Sequence, residues 1–116
     1  MELADRESSL LQEFKDAVTE GLSHNTVKLI KVFGSRARGD AEEWSDLDVL
    51  IVVKGDSTSI EEKIREIRYE TMWQHNFHPL ISLLLLSEEE YANLSRLQTG
   101  LWRNIEREGV TLWRAL

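Results

Sequence analysis

Apolar residues along this chain fall into short blocks of two rhythms, one helical and one extended, separated by polar turns. Leu11, Phe14, Val18 and Leu22 recur at helical spacing and Ser9-Leu10-Leu11-Gln12 has the form of a capping box, which predicts a helix over 9–22. Val27 to Phe33 is rich in β-branched and aromatic residues and runs straight into Gly34, so it reads as the first strand. Ser35 to Arg38 suits a single helical turn closed by Gly39, and Asp40 to Ser45 is a polar loop with one apolar residue, Trp44. Leu47 to Val53 is apolar on both faces except at Asp48, the pattern of a central strand covered on both sides. A second capping box, Ser59-Ile60-Glu61-Glu62, opens a helix expected to reach about Trp73, with Ile60, Ile64, Ile67 and Met72 as its buried stripe. Pro79 can begin a strand but not continue a central one, which sets the third strand at Leu80 to Leu86, followed by a third box at Ser87-Glu88-Glu89-Glu90. Two helical pieces run to Glu108, Gly109 ends them, and Val110 to Trp113 suits a short edge strand.

This order of elements predicts one domain over 1–116 of the α/β (α+β) class: a small mixed sheet of three to four strands flanked by about four helices. At 116 residues the chain can bury a single core but has no room for a second, substrate-holding domain. No apolar run approaches the roughly 20 residues that span a bilayer, no signal-peptide pattern stands at the start, and there is no cysteine. The expectation is a cytoplasmic protein without disulfides or thiolate metal sites. A formal net charge of −7 argues against direct nucleic-acid binding, in which Lys and Arg neutralise phosphates. A basic partner protein, or a nucleotide accompanied by Mg²⁺, suits this charge better.

The chemistry concentrates between the first two strands. Gly34-Ser35-Arg36-Ala37-Arg38-Gly39 is a turn whose backbone N–H groups could face an anion at close range. Asp46 and Asp48 flank Leu47 where the second strand begins, so both carboxylates point to one face, about 6–7 Å apart along the strand. Two carboxylates so placed can share hard divalent cations. Other readings of the same residues stay open. Gly34 and Gly39 also suit plain turns, Ser35 a helix cap, and Asp48 an ion pair with a buried Arg36 or Arg38. Trp44 could stack on a base or cover the edge of the core. Trp73, Trp102 and Trp113, with Leu101 and Leu112, read as core, with a homodimer face as the rival.

Gly34-Ser35, ten intervening residues, then Asp46-Leu47-Asp48 resembles the signature of the DNA polymerase β-like nucleotidyltransferase superfamily, and the chain's size resembles its minimal nucleotidyltransferase members. Arg36 to Gly39, Ser45 and the closing stretch Asn104 to Val110 extend the resemblance. It implies transfer of a nucleoside monophosphate from a nucleoside triphosphate, ATP first among them, to an acceptor hydroxyl, with one or two Mg²⁺ ions. Asp46 and Asp48 would be the catalytic metal ligands, and Gly34, Ser35, Arg36 and Ser45 would hold the nucleotide, with Arg36 set against the departing pyrophosphate. Arg38 would share that task or brace the loop. Minimal members commonly pair with HEPN-type toxins and can silence them by adenylylating a tyrosine, which implies an antitoxin role here.

Active members usually add a third carboxylate from a later strand. This chain has no Asp or Glu from 71 to 87. Glu88 to Glu90, His78, Ser82 or a water are the replacements to consider. A catalytically weak binding antitoxin or scaffold is the alternative function.

Overall fold

The computed structural model describes residues 5–23, 25–55 and 58–115. Among these residues the elements run α1 (Asp5–Gly21), β1 (Val27–Phe33), α2 (Gly34–Arg38), β2 (Leu47–Val53), α3 (Thr58–Gln74), β3 (Ile81–Ser87), α4 (Glu88–Leu97), α5 (Gly100–Glu108) and β4 (Val110–Arg114). The four strands form one mixed sheet in the order β3-β2-β1-β4. β1 is antiparallel to both β2 and β4, whereas β2 and β3 are parallel and joined by the α3 crossover.

Strand alternation divides the core between the two faces of this sheet. On one face Ile30, Val32, Val49, Ile51 and Ile81 pack against Leu10, Phe14 and Val18 of α1 and Ile64, Ile67 and Met72 of α3. On the other, Leu29, Leu50 and Val52 meet Ile105 of α5, with Tyr91 of α4 alongside. The α/β class, the mixed sheet and the central place of β2 agree with the sequence expectation. β1 and β2 have the bounds read from sequence, because an apolar block ended by a polar turn marks a strand in either direction.

Local signals misplaced several boundaries. α1 starts at Asp5 rather than Ser9, so Ser9 lies inside the helix. The extra turn is held by a tertiary contact, because Glu7 is buried against Arg36. α3 starts at Thr58, which puts Ser59 within its first turn, and β3 is shifted by one residue. The Ser87 capping box forms as read: Ser87 Oγ accepts from the Glu90 N–H at 3.1 Å and Glu90 Oε1 accepts from the Ser87 N–H at 2.9 Å. Trp113 packs against the main core as expected, but other tryptophans differ. Trp44 is 78% and Trp73 65% exposed, so neither is core, and Leu101 is 40% exposed. Trp102 and Trp113 are half-buried.

Candidate active site

β1 ends at Phe33, whose register partner on β2 is Asp48. The chain then turns through Gly34 at φ +79°, a left-handed conformation that favours glycine. This glycine is also required by space. A Cβ there would stand 2.2 Å from Asp48 Oδ2 and 3.1 Å from its Cγ, so the backbone of the turn and the carboxylate occupy adjoining volumes. α2 follows at once, and Gly39 closes it at φ 88° with its N–H donating to Ser35 O. Ser35 is half-buried in this corner.

Asp46 is exposed just ahead of β2, and Asp48 is half-buried one position inside it. Burial pushes the Asp48 carboxyl above the usual carboxylate range, and the neighbouring Asp46 charge pushes the same way. A hydrogen bond with Ser82 and the charge of Arg38 oppose this. The corner therefore holds negative charge that the protein only partly compensates. Ser82 is the register partner of Asp48 on β3, the place across the strand from which a third carboxylate would reach the site.

The other proposed site residues divide clearly. Arg36 is buried, and all three nitrogens of its guanidinium are engaged: Nε donates to Ser45 O at 2.8 Å, Nη2 to Glu43 O at 2.9 Å and to Glu42 O at 3.4 Å, and Nη1 to the Glu7 carboxylate. It faces the loop over 42–45 and α1. Ser45 adds a local lock, its Oγ accepting from the Glu42 N–H at 2.9 Å. Exposed Arg38 binds Asp40 and, at 2.8 Å, Glu108 of α5. Neither arginine is hydrogen-bonded to Asp48 in the described contacts. Arg36 fixes the loop that delivers Asp46; Arg38 ties α2 to the C-terminal helix.

Glu88 to Glu90 follow the far end of β3, since Ser87 pairs with Val53. At about 3.3 Å per residue that is roughly 16 Å along the sheet from Ser82, too far to complete the corner. Half-buried His78 precedes Pro79, and its N–H donates to His75 O at 3.2 Å. Sequence reasoning missed Glu7 and Glu108 as the partners of the two arginines. Only long-range packing brings either one to the motif.

Among the described residues no group of three or more His, Cys, Asp or Glu side chains could hold a metal. Asp46 and Asp48 nevertheless suit a hard cation such as Mg²⁺, which takes one or two carboxylates and completes its shell with substrate phosphates and water. The partly uncompensated charge at Asp48 fits the same role.

Gly34 gives a direct measure of how closely the turn and the carboxylate are packed. Gly34→Ala is expected to lower stability by about 1–2 kcal/mol for the left-handed backbone alone, and further through displacement of Asp48. Gly39→Ala has the same backbone cost with nothing within 4 Å of the added Cβ. Thermal melts and Mn²⁺ titrations of the two variants separate the effects: both lose stability, but only Gly34→Ala weakens cation binding.

A mixed sheet with paired carboxylates where its central strand begins, beside a glycine turn, is the arrangement that the resemblance to nucleotidyltransferases implies. Comparison with known proteins makes this specific. The family model described as a nucleotidyltransferase domain matches residues 11–109. A Methanocaldococcus jannaschii protein, named provisionally as a protein adenylyltransferase, is 36% identical over 101 residues, 87% of this chain and 93% of that protein. This chain belongs to the nucleotidyltransferase domain family.

Solved structures agree on the fold. A chain of a toxin–antitoxin complex with AMP-PNP superposes at a TM-score of 0.57 with 17% identity, covering 96% of this chain and 73% of that one. A chain of a complex between a tri-AMPylated Shewanella oneidensis HEPN toxin and its MNT antitoxin gives 0.52 with 12% identity, covering 95% and 73%.

Proposed function

We propose that this chain is a Mg²⁺-dependent nucleotidyltransferase that moves a nucleoside monophosphate, AMP from ATP in the first instance, onto a hydroxyl of a partner protein. The observation that carries this reading is the packing of Gly34 against Asp48, with Asp46 near enough for its charge to act on Asp48. The name of the Methanocaldococcus relative supports a protein acceptor and an adenylyl donor. The toxin–antitoxin neighbours support a HEPN-type toxin as that acceptor and an antitoxin role for this chain. The net charge of −7 suits a basic protein surface. No helix among the described residues is long and apolar enough to cross a membrane, which fits work in the cytoplasm.

Asp46 and Asp48 would hold the cation, and Gly34 and Ser35 would line the triphosphate beside it. A bound divalent cation supplies charge neutralisation and Lewis acidity for in-line displacement at phosphorus. Arg36 acts at one remove, by holding the Ser45 and Glu43 carbonyls so that Asp46 is correctly presented. The acceptor oxygen forms its bond to the α-phosphorus as the bond to pyrophosphate breaks. The acceptor proton leaves to water, because Ser82 rather than a carboxylate stands across from Asp48.

A second reading, a weakly catalytic antitoxin that blocks its partner by contact, is favoured by that same Ser82. The deciding experiment incubates the chain with Mg²⁺, α-labelled nucleoside triphosphates and a HEPN-type toxin from the same genome. Label on a toxin hydroxyl, strongest from ATP, is expected. Toxin neutralised without label from any nucleotide would establish the second reading instead.

A further inference from the structure

The sheet has two edges, and they differ in how they are protected. β4 carries Arg114, and its pairing with β1 is irregular between Ile30 and Lys31. Charge and irregularity of this kind discourage pairing with another strand. β3 has neither. Its seven residues pair with β2 without a register shift, and residues 71–87 contain no Asp, Glu, Lys or Arg. A regular, uncharged, leucine-rich edge is a template for a further strand.

The backbone bonds define which part of this edge is open. The Leu47 N–H donates to Leu80 O at 2.8 Å, so Leu80, and by alternation Ser82, Leu84 and Leu86, turn their backbone polar groups toward β2. Ile81, Leu83, Leu85 and Ser87 turn theirs outward. The two end N–H groups are occupied, Ile81 by Met72 Sδ at 3.3 Å and Ser87 by Glu90 Oε1 at 2.9 Å. Among the described residues nothing pairs with the outward N–H and C=O groups of Leu83 and Leu85. One window of two donors and two acceptors, centred on Leu84, is left.

We propose that this window is an interface between two copies of this chain, paired antiparallel about a two-fold axis at Leu84. Leu83 of each copy exchanges two hydrogen bonds with Leu85 of the other, which uses the N–H and C=O groups of both residues on both sides. A register centred on Leu83 or Leu85 instead brings the occupied N–H of Ile81 or Ser87 into the ladder. The window thus complements itself, as an interface between identical copies requires. Charge selects the same occupant. Two chains of net charge −7 repel each other over most of their surfaces, whereas this edge is neutral, and a basic partner would meet no carboxylate on it. The axis stands perpendicular to the sheet, so each sheet face continues into the other copy and both Asp46–Asp48 corners lie on one side of an eight-stranded sheet.

Sedimentation equilibrium of the full chain at high micromolar concentration tests this, with a mass twice the 13.5 kDa of one chain expected. Leu84→Lys places two ammonium groups on the axis and is expected to halve that mass. Leu84→Cys needs no disruption of the fold. The chain has no other cysteine, and a non-hydrogen-bonded antiparallel pair sets the two Cβ atoms about 4.5–5.5 Å apart, close to disulfide geometry. Mild oxidation should then give a covalent dimer, while Trp44→Cys, on an exposed loop, stays monomeric. A wild-type chain that sediments as a monomer overturns the proposal, and so does a dimer in which Leu84→Cys crosslinks no faster than Trp44→Cys.

Discussion

Replacing Asp46 and Asp48 together by Asn should abolish nucleotidyl transfer, by on the order of 10³-fold or more, without lowering the melting temperature. The two effects separate because the carboxylates do little for the fold. Asp46 is exposed, and Asp48 is a half-buried acid raised above the usual carboxylate range first by burial and then by Asp46. Asn has nearly the same shape and removes the like-charge repulsion, so the protein should melt at the same temperature or higher. Label transfer, Mn²⁺ titration and a thermal melt of the double variant are the three measurements. Undiminished transfer would show that the corner is not the catalytic centre. A collapsed melting temperature would show that the carboxylates are structural. Neutralisation of a toxin by the double variant separates the two functional readings: it is lost if adenylylation is the mechanism and retained if contact suffices.

The largest effect on stability belongs to Arg36. Both it and Glu7 are less than a tenth exposed, so Arg36→Ala removes a buried ion pair together with three hydrogen bonds to loop carbonyls. Arg36→Ala should cost about 3–5 kcal/mol, which for a domain of this size is a fall of roughly 10 °C or more in melting temperature. It also frees the carbonyls of Glu42, Glu43 and Ser45 and so loosens the loop before Asp46. Transfer should therefore fall even under conditions where the variant stays folded. Combining Arg36→Ala with Glu7→Gln should cost less than the sum of the single changes, with a coupling of about 1–3 kcal/mol in a double-mutant cycle. Additive effects would show that Arg36 is held by the loop alone. A variant of normal stability that has lost nucleotide binding would return Arg36 to the pyrophosphate.

Different residues were legible in the sequence for different reasons. β1 and β2 were readable because each is an uninterrupted apolar block, and Asp48 stood out as the one polar residue in an otherwise apolar strand. The Ser87 capping box was readable because both of its hydrogen bonds are local. The same pattern at Ser9 misled, because a helix extends past a local stop when its first turn gains tertiary contacts. Glu7 supplies such a contact for α1. The side-chain roles within the motif were the least readable part. Arg36 and Arg38 both fall in a turn beside two aspartates, and spacing alone gives each the same access to phosphate. Their division follows from partners 29 and 70 residues away, Glu7 and Glu108.

By itself, then, the sequence determined the class of fold, the central strand, and a nucleotidyltransferase motif of one glycine turn and two carboxylates. These rest on contacts within about a dozen residues, where alternation and turn chemistry leave few choices. Tertiary structure decided that Ser82 is the residue opposite Asp48, that Glu88 to Glu90 belong to the far end of the sheet, and that Arg36 is a buried brace. It also decided that β3 lies at an edge with Leu83 and Leu85 open. Each of these depends on which strands become neighbours and in what register, and register is set by the packing of whole faces rather than by any local signal.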